Sequence, residues 1–316
     1  MEKMPKLLVV IPCYNEEEML EITTKELSKK MNDLIKDKII SKNSKVLYVN
    51  DGSKDNTWEL IEKIHKKDNM FIGLKLSRNK GHQNALLAGL MYAKDNCDIS
   101  ISMDADLQDD IDVVDKMIEE YNKESEIVYG VRSSRKKDTF FKKFTAEGFY
   151  RFMKLMGVEI VFNHADCRLM SRVALEGLAQ FNEVNLFLRG IVPLIGYKSS
   201  IAYYERNERV AGESKYPLKK MLSFAFDGIT SFSIKPIRLI LNLGFVFSII
   251  SFLVLIYCLI QKAIGNAIAG WTFLACSIWL LAGVQLISLG VIGEYIGKIY
   301  NETKNRPRYI VEKILD

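Results

Sequence analysis

Asp104-Ala105-Asp106, followed by Leu107-Gln108-Asp109, is the segment best equipped for chemistry. It closes an apolar run over residues 99–103. Two carboxylates this close repel, and burial at a strand end raises the cost. A divalent cation removes that cost and lets the pair hold a diphosphate. Taken alone, the tripeptide also fits a solvated loop. Asp51, after the strand-like residues 45–49, could hydrogen-bond a nucleobase edge; within Asn50-Asp51-Gly52-Ser53 it equally fits a turn. His82 and His164 are candidate site residues, and His65 reads as a helix-surface residue. No Gly-x-Gly-x-x-Gly, Walker A or nucleophile-elbow pattern occurs, so dinucleotide, P-loop and hydrolase readings lose their main support.

The elements that must position these residues alternate. Strand-like runs at 6–11, 45–49, 71–76, 99–103 and 127–131 are separated by helix-like segments at 16–35, 55–66, 81–94 and 110–122. Ser53 or Asp55 would cap the second helix. Such alternation predicts an α/β fold with a mainly parallel, Rossmann-like sheet covered by helices on both faces. Ligands bind beyond the carboxyl ends of such strands. Asn15-Glu16, Asp51-Gly52 and Asp104–Asp106 all fall there and should converge on one cleft. Residues 132–216 are less regular, with helices expected at 146–156 and 172–181 and a polar loop at 207–216.

The chain has 316 residues, 48% apolar and 26% charged, with 44 basic and 39 acidic side chains. A mean hydropathy of +0.02 is high for that charge content, so the apolar residues must be concentrated. They are: residues 237–297 carry only Arg238, Lys262 and Glu294. Residues 239–261 are uncharged and would span roughly 35 Å as a helix. That is enough for about 30 Å of hydrocarbon. A second span is expected over 270–293. Both outer flanks are basic, with Lys215, Lys219, Lys220, Lys235 and Arg238 before and Lys298, Lys304, Arg306, Arg308 and Lys313 after. The positive-inside rule then places both ends in the cytoplasm. The expected organisation is a cytoplasmic domain at 1–216, an amphipathic interfacial helix at 217–236, the two spans within 237–297 and a cytoplasmic tail at 298–316. The N-terminus carries no signal-peptide pattern. Five scattered cysteines suggest neither disulfide nor zinc. The net charge of +5 is mostly juxtamembrane, and no nucleic-acid module is expected.

A series of motifs ties these observations together. Ile11-Pro12-Cys13-Tyr14-Asn15-Glu16, Val49-Asn50-Asp51-Gly52-Ser53, Ser77-Arg78-Asn79-Lys80-Gly81 and Met103-Asp104-Ala105-Asp106-Leu107-Gln108 occur in order. The series resembles family 2 glycosyltransferases with the GT-A fold. Gly130-Val131-Arg132, Ala165-Asp166-Cys167-Arg168, residues 209–216 and the two apolar segments are similar to the polyprenyl-phosphate branch, which holds bactoprenol glucosyltransferases and dolichyl-phosphate mannose synthases.

The resemblance implies roles. Pro12, Tyr14, Glu16, Asp51, Gly81 and Asp104 would serve the nucleotide-sugar. Asp106 and Gln108 would ligate Mg²⁺ or Mn²⁺. Arg132, Arg209, Ser214 and Lys215 would gather the acceptor phosphate. Asp106, Asp166 and Arg132 would be the catalytic set, with Asp166 a base or a sugar anchor. Asn50 departs from the Asp of many relatives. The implied reaction is inverting transfer of one sugar, glucose or N-acetylglucosamine, from a UDP-sugar to undecaprenyl phosphate at the cytoplasmic face of the inner (plasma) membrane. A homo-oligomer, a tetramer by resemblance, is expected. A processive polysaccharide synthase would need more spans and a Gln-x-x-Arg-Trp motif, both missing here. A non-catalytic scaffold would not need the intact Asp104, Asp106, Arg132, Arg209 and Lys215.

Overall fold

The computed structural model describes residues 4–132, 156, 164–184, 186–205, 229–230, 233–264 and 270–316. They fall into two units, one built from the described residues up to 132, from 164 to 205 and from 306 to 316, the other from residue 156 and 229–305.

In the first unit the strands are β1 (Leu7–Cys13), β2 (Lys45–Asn50), β3 (Phe71–Leu76), β4 (Ile99–Ser102), β5 (Ile127–Arg132), β6 (His164–Ser171), β7 (Ser199–Tyr204) and β8 (Val311–Leu315). The helices are α1 (Leu20–Lys36), α2 (Thr57–Lys67), α3 (His82–Asn96), α4 (Val113–Asn122), α5 (Arg172–Ala179) and α6 (Leu188–Leu194). One sheet runs β7-β5-β6-β4-β1-β2-β3-β8. β4, β1, β2 and β3 are parallel neighbours, as strand–helix alternation requires. β6 lies antiparallel between β4 and β5, and β7 runs parallel to β5.

All seven residues of β1 are buried, as expected for a strand covered on both faces. Leu7, Val9 and Ile11 share one cluster with Leu27 and Met31 of α1, Ile61 of α2 and Met117 of α4. Helix α3, buried through Ala85–Leu90, packs on β1 and against α5, which lies on β6. The order reverses at β1, because β2 and β4 leave it on opposite sides. That reversal opens a crevice between the ends of β1 and β4.

Three strands escape the sequence pattern. β6, β7 and β8 are not each followed by a helix that returns to a parallel neighbour, so alternation does not reveal them. Most consequential is β8. Residues 298–316 read as a tail, yet Val311–Leu315 pairs antiparallel with β3, from Gly73↔Leu315 to Leu76↔Val311. Leu315 packs against the core, and Lys45, Lys75 and Glu62 pair with Asp316, Glu312 and Lys313. At the other end of α2, Asp55 accepts from the Thr57 N–H at 3.1 Å.

The second unit holds α7 (Lys235–Ala263) and α8 (Trp271–Thr303). Within them Lys235–Val254 and Leu280–Thr303 are long and apolar enough to cross a membrane, and none of either stretch is buried. Side chains such as Phe245 and Leu286 are 62% and 69% exposed. Tyr295 of α8 donates to the Ser233 carbonyl just ahead of α7. The interfacial helix expected at 217–236 lies mostly outside the described residues, as does the helix expected at 146–156.

Candidate active site

The turn after β1 is tied to the turn after β2. Asn15 sits at φ +55°, a left-handed conformation that Asn tolerates. Its side-chain oxygen accepts from the Lys54 N–H at 2.9 Å, and its own N–H donates to Ser53 Oγ at 3.1 Å. The Glu16 N–H donates to Thr57 Oγ1 at 2.9 Å. These bonds hold Pro12, Tyr14 and Glu16 beside Asp51. Pro12 is buried in β1, Glu16 is half-buried and Tyr14 is exposed.

Asp51 itself is 2% exposed. Its two oxygens accept from the N–H groups of Lys80 at 2.7 Å and Gly81 at 2.8 Å. Burial pushes its carboxyl up, and the two backbone bonds oppose that rise. Asp51 therefore builds the loop at 77–81, in addition to whatever it offers a nucleotide through its remaining lone pairs. Gly52 is required for this approach. At φ +64° a Cβ would lie 2.5 Å from the Asn79 nitrogen. Gly81, at φ +86°, then turns the chain into α3.

The acidic loop follows β4. Thr23 of α1 donates to the Ala105 carbonyl at 2.7 Å. The Gln108 N–H donates to Asp106 Oδ1 at 3.1 Å, across Leu107 at φ +51°. Tyr204, at the end of β7, donates to buried Asp109. The loop is thus fastened from α1, from within and from β7. Among the described residues no three His, Cys, Asp or Glu side chains form a metal cluster. A Mg²⁺-like ion does not need one, since it is commonly held by one or two carboxylates plus substrate phosphates. The hard oxygen donors of Asp106 and Gln108 fit that mode. Burial raises the Asp104 carboxyl to about 6; His82 opposes the rise, and Asp166, Asp109 and Asp106 add to it. A carboxylate so crowded by negative charge is where a cation is most stabilising.

The other wall is formed by β6, α3 and α6. Asp166 and Arg168 are two apart on β6 and share a face. Ser102 of β4 donates to the Asp166 carbonyl at 2.6 Å. Arg189, near the start of α6, grips the Asp166 carboxylate with two bonds, Nε to Oδ1 at 3.0 Å and Nη2 to Oδ2 at 2.9 Å. His82, the first residue of α3, lies 3.7 Å from Asp104 and 3.8 Å from Asp166 by its Nε2. Gln83 beside it accepts from the Leu188 N–H at 2.9 Å and so anchors α6. Arg168 is 2% exposed, with its guanidinium over the Tyr129 ring. Burial would push Asp166 up, but the charge and bonds of Arg189, with His82 and Arg168, outweigh it. The carboxyl is held well below the usual range.

Asp51, Asp104, Asp106, Gln108, Gly81 and Asp166 thus all lie on the loops and strand ends of one sheet unit, and His82 Nε2 stands within 4 Å of both Asp104 and Asp166. Arg132 ends β5, with only its backbone described. Arg209, Ser214 and Lys215 lie outside the described residues, as does the side chain of His164. His65 is half-buried, its Nδ1 2.8 Å from the Phe71 carbonyl oxygen, and has no place at the site. Sequence reasoning missed Arg189, Gln83 and Tyr204, and gave Asp109 a place in the acidic segment without a role. The two-residue spacing of Asp166 and Arg168 was the available hint that this stretch is a strand.

A central parallel sheet with an acidic loop beyond β4 and a polar cleft at the reversal of strand order has the architecture of the GT-A fold. The family model described as glycosyl transferase family 2 matches residues 8–178, and the chain belongs to that family. An uncharacterized glycosyltransferase, YkoT, of Bacillus subtilis (strain 168) is 53% identical, over 98% of this chain and 92% of that one. The prophage bactoprenol glucosyl transferase homolog of Escherichia coli (strain K12) is 38% identical, over 98% and 99%. The SfII prophage-derived bactoprenol glucosyl transferase of Shigella flexneri is 39% identical, over 98% of both. Among solved structures, the mannosyltransferase PcManGT from Pyrobaculum calidifontis in complex with GDP-Man and Mn²⁺ matches with a TM-score of 0.47 at 15% identity, over 93% and 88%.

Proposed function

We propose that this glycosyltransferase moves a single glucose or N-acetylglucosamine from its UDP-sugar to undecaprenyl phosphate at the cytoplasmic membrane face. The observation that carries the reading is the pairing of the acidic loop at Asp104–Gln108 with two helices apolar enough to enter a membrane, in a chain similar along its length to bactoprenol glucosyl transferases. The Asp51 and Asn15 turns would receive the uridine. Mg²⁺ or Mn²⁺ at Asp106 and Gln108 would offset the charge on the departing diphosphate. Arg132, with Arg209, Ser214 and Lys215, would hold the lipid phosphate. Such a phosphate is already ionised near pH 7, its second pKa being about 6, so it needs little help from a base. A phosphate oxygen bonds to the anomeric carbon as the carbon–oxygen bond to UDP breaks. One in-line displacement inverts the centre, giving a β-linked product from an α-linked donor.

The test is incubation of the purified full chain with undecaprenyl phosphate, Mg²⁺ and separate UDP-sugars, with mass spectrometry of the lipid. One hexose added per lipid is expected. Polymer would point to a processive synthase, and no product with any UDP-sugar would count against the reading. Asp106→Ala should lose transfer by at least about a hundredfold while melting like the parent protein.

A further inference from the structure

Asp166 is held more firmly than a residue on a cleft wall needs to be. Both of its oxygens receive charge-assisted bonds from one planar guanidinium, at 2.9 and 3.0 Å. A fork of this kind fixes direction as well as charge. Arg189 is in turn held in place. It sits second in α6, where Leu188, Gly190, Ile191 and Val192 are buried. The first amide of that helix is anchored on Gln83, next to His82. His82 Nε2 lies 3.8 Å from Asp166 Oδ2, the oxygen that Arg189 Nη2 grips at 2.9 Å. Behind it on β6, buried Arg168 adds positive charge.

We propose that Arg189 is a positioning residue, which acts through Asp166 by locking its carboxylate, ionised, in one orientation on the cleft wall beside Asp104. The inference rests on the functional reading above and deepens it. A carboxylate gripped through both oxygens keeps a lone pair on each to accept hydrogen bonds from sugar hydroxyls. Taking a proton would weaken both bonds to Arg189, so the pair is built to orient rather than to abstract. Such fixed geometry matters most in the transition state, where small misplacements are costly.

The experiment is a double-mutant cycle on transfer to undecaprenyl phosphate, with Arg189→Ala, Asp166→Asn, the pair combined, and Arg189→Lys. The expected result is a loss in kcat of at least about thirtyfold for Arg189→Ala, with KM for the UDP-sugar changed less than about threefold. Arg189→Lys should recover only part, because a point charge cannot form the fork. The combined variant should be no more than about threefold worse than Asp166→Asn alone. The combined variant removes both halves of the Arg189–Asp166 ion pair together, so its comparison with Asp166→Asn keeps the test alive if Arg189→Ala fails to fold. Losses that multiply would show independent roles and overturn the proposal, as would an Arg189→Ala enzyme within twofold of the parent. The unaltered protein is run alongside. If it makes no lipid-linked sugar with any donor, the functional reading fails, and Arg189 falls with it for want of a reaction to position.

Discussion

At the residue scale, the site is governed by carboxylates that burial makes uncomfortable and by the groups that relieve them. Asp51 is relieved by two backbone N–H groups, Asp109 by the Tyr204 hydroxyl, and Asp166 by Arg189. Asp104 faces His82 and carries a raised carboxyl near 6. A group raised in this way holds its proton until the pH passes about 6, and a cation bound beside it must displace that proton. Mn²⁺ binding in the presence of UDP should therefore be weaker at low pH, by about tenfold at pH 5 relative to the plateau above pH 7. Calorimetry at the two pH values measures it, and a flat profile would remove Asp104 from the cation's surroundings. Tyr204→Phe takes a donor from buried Asp109 and should cost about 1–3 kcal/mol. Denaturant unfolding checks this, and transfer should fall as well, since Asp109 anchors the loop that carries Asp106.

At the element scale, short elements at strand ends do the positioning. Helix α3 and the glycine before it send Gly81 to Asp51, His82 toward Asp104 and Asp166, and Gln83 to α6 within three residues. Gln83→Ala should thus loosen α6 and lower transfer severalfold, with UDP binding nearly unchanged; equal losses in both would place Gln83 on the donor side. Strand β8 has a different task. It covers the outer edge of β3, which would otherwise present unpaired backbone groups. Leu315→Ala should cost about 1–2 kcal/mol, less than the 2–5 typical of a fully buried leucine. Deleting residues 306–316 should lower the melting temperature and promote aggregation. A truncated chain that melts and stays monomeric like the parent would mean that the edge needs no cover.

At the scale of the whole molecule, the chain leaves the sheet unit for two apolar helices and comes back to it as β8. If both helices cross the membrane, the sheet and the C-terminus must lie on one side and the short link between the helices on the other. Cysteine labelling should find position 266 outside and positions 60 and 310 inside. Labelling of all three from the same side would refute two crossings.

Much of this architecture is legible in the amino-acid sequence. The strand–helix alternation up to residue 131, the placement of Asp51 and Asp104–Asp106 at strand ends, and the two apolar helices all rest on local periods and on runs of hydropathy. Each of those is written within one to two dozen consecutive residues. Tertiary structure decided what depends on distant segments. Antiparallel β6 and β8 pair with strands far away in the chain, and no local period announces such a partner. Arg189 looks like any helix arginine until α6 is docked on Gln83 and meets Asp166. Asp51, expected to face a base, also holds a loop nearly thirty residues further on. Residue type and spacing thus suffice to say which groups carry charge and at which strand ends they stand. Which charges neutralise one another is a matter of distance and burial, and those quantities exist only once the chain has folded.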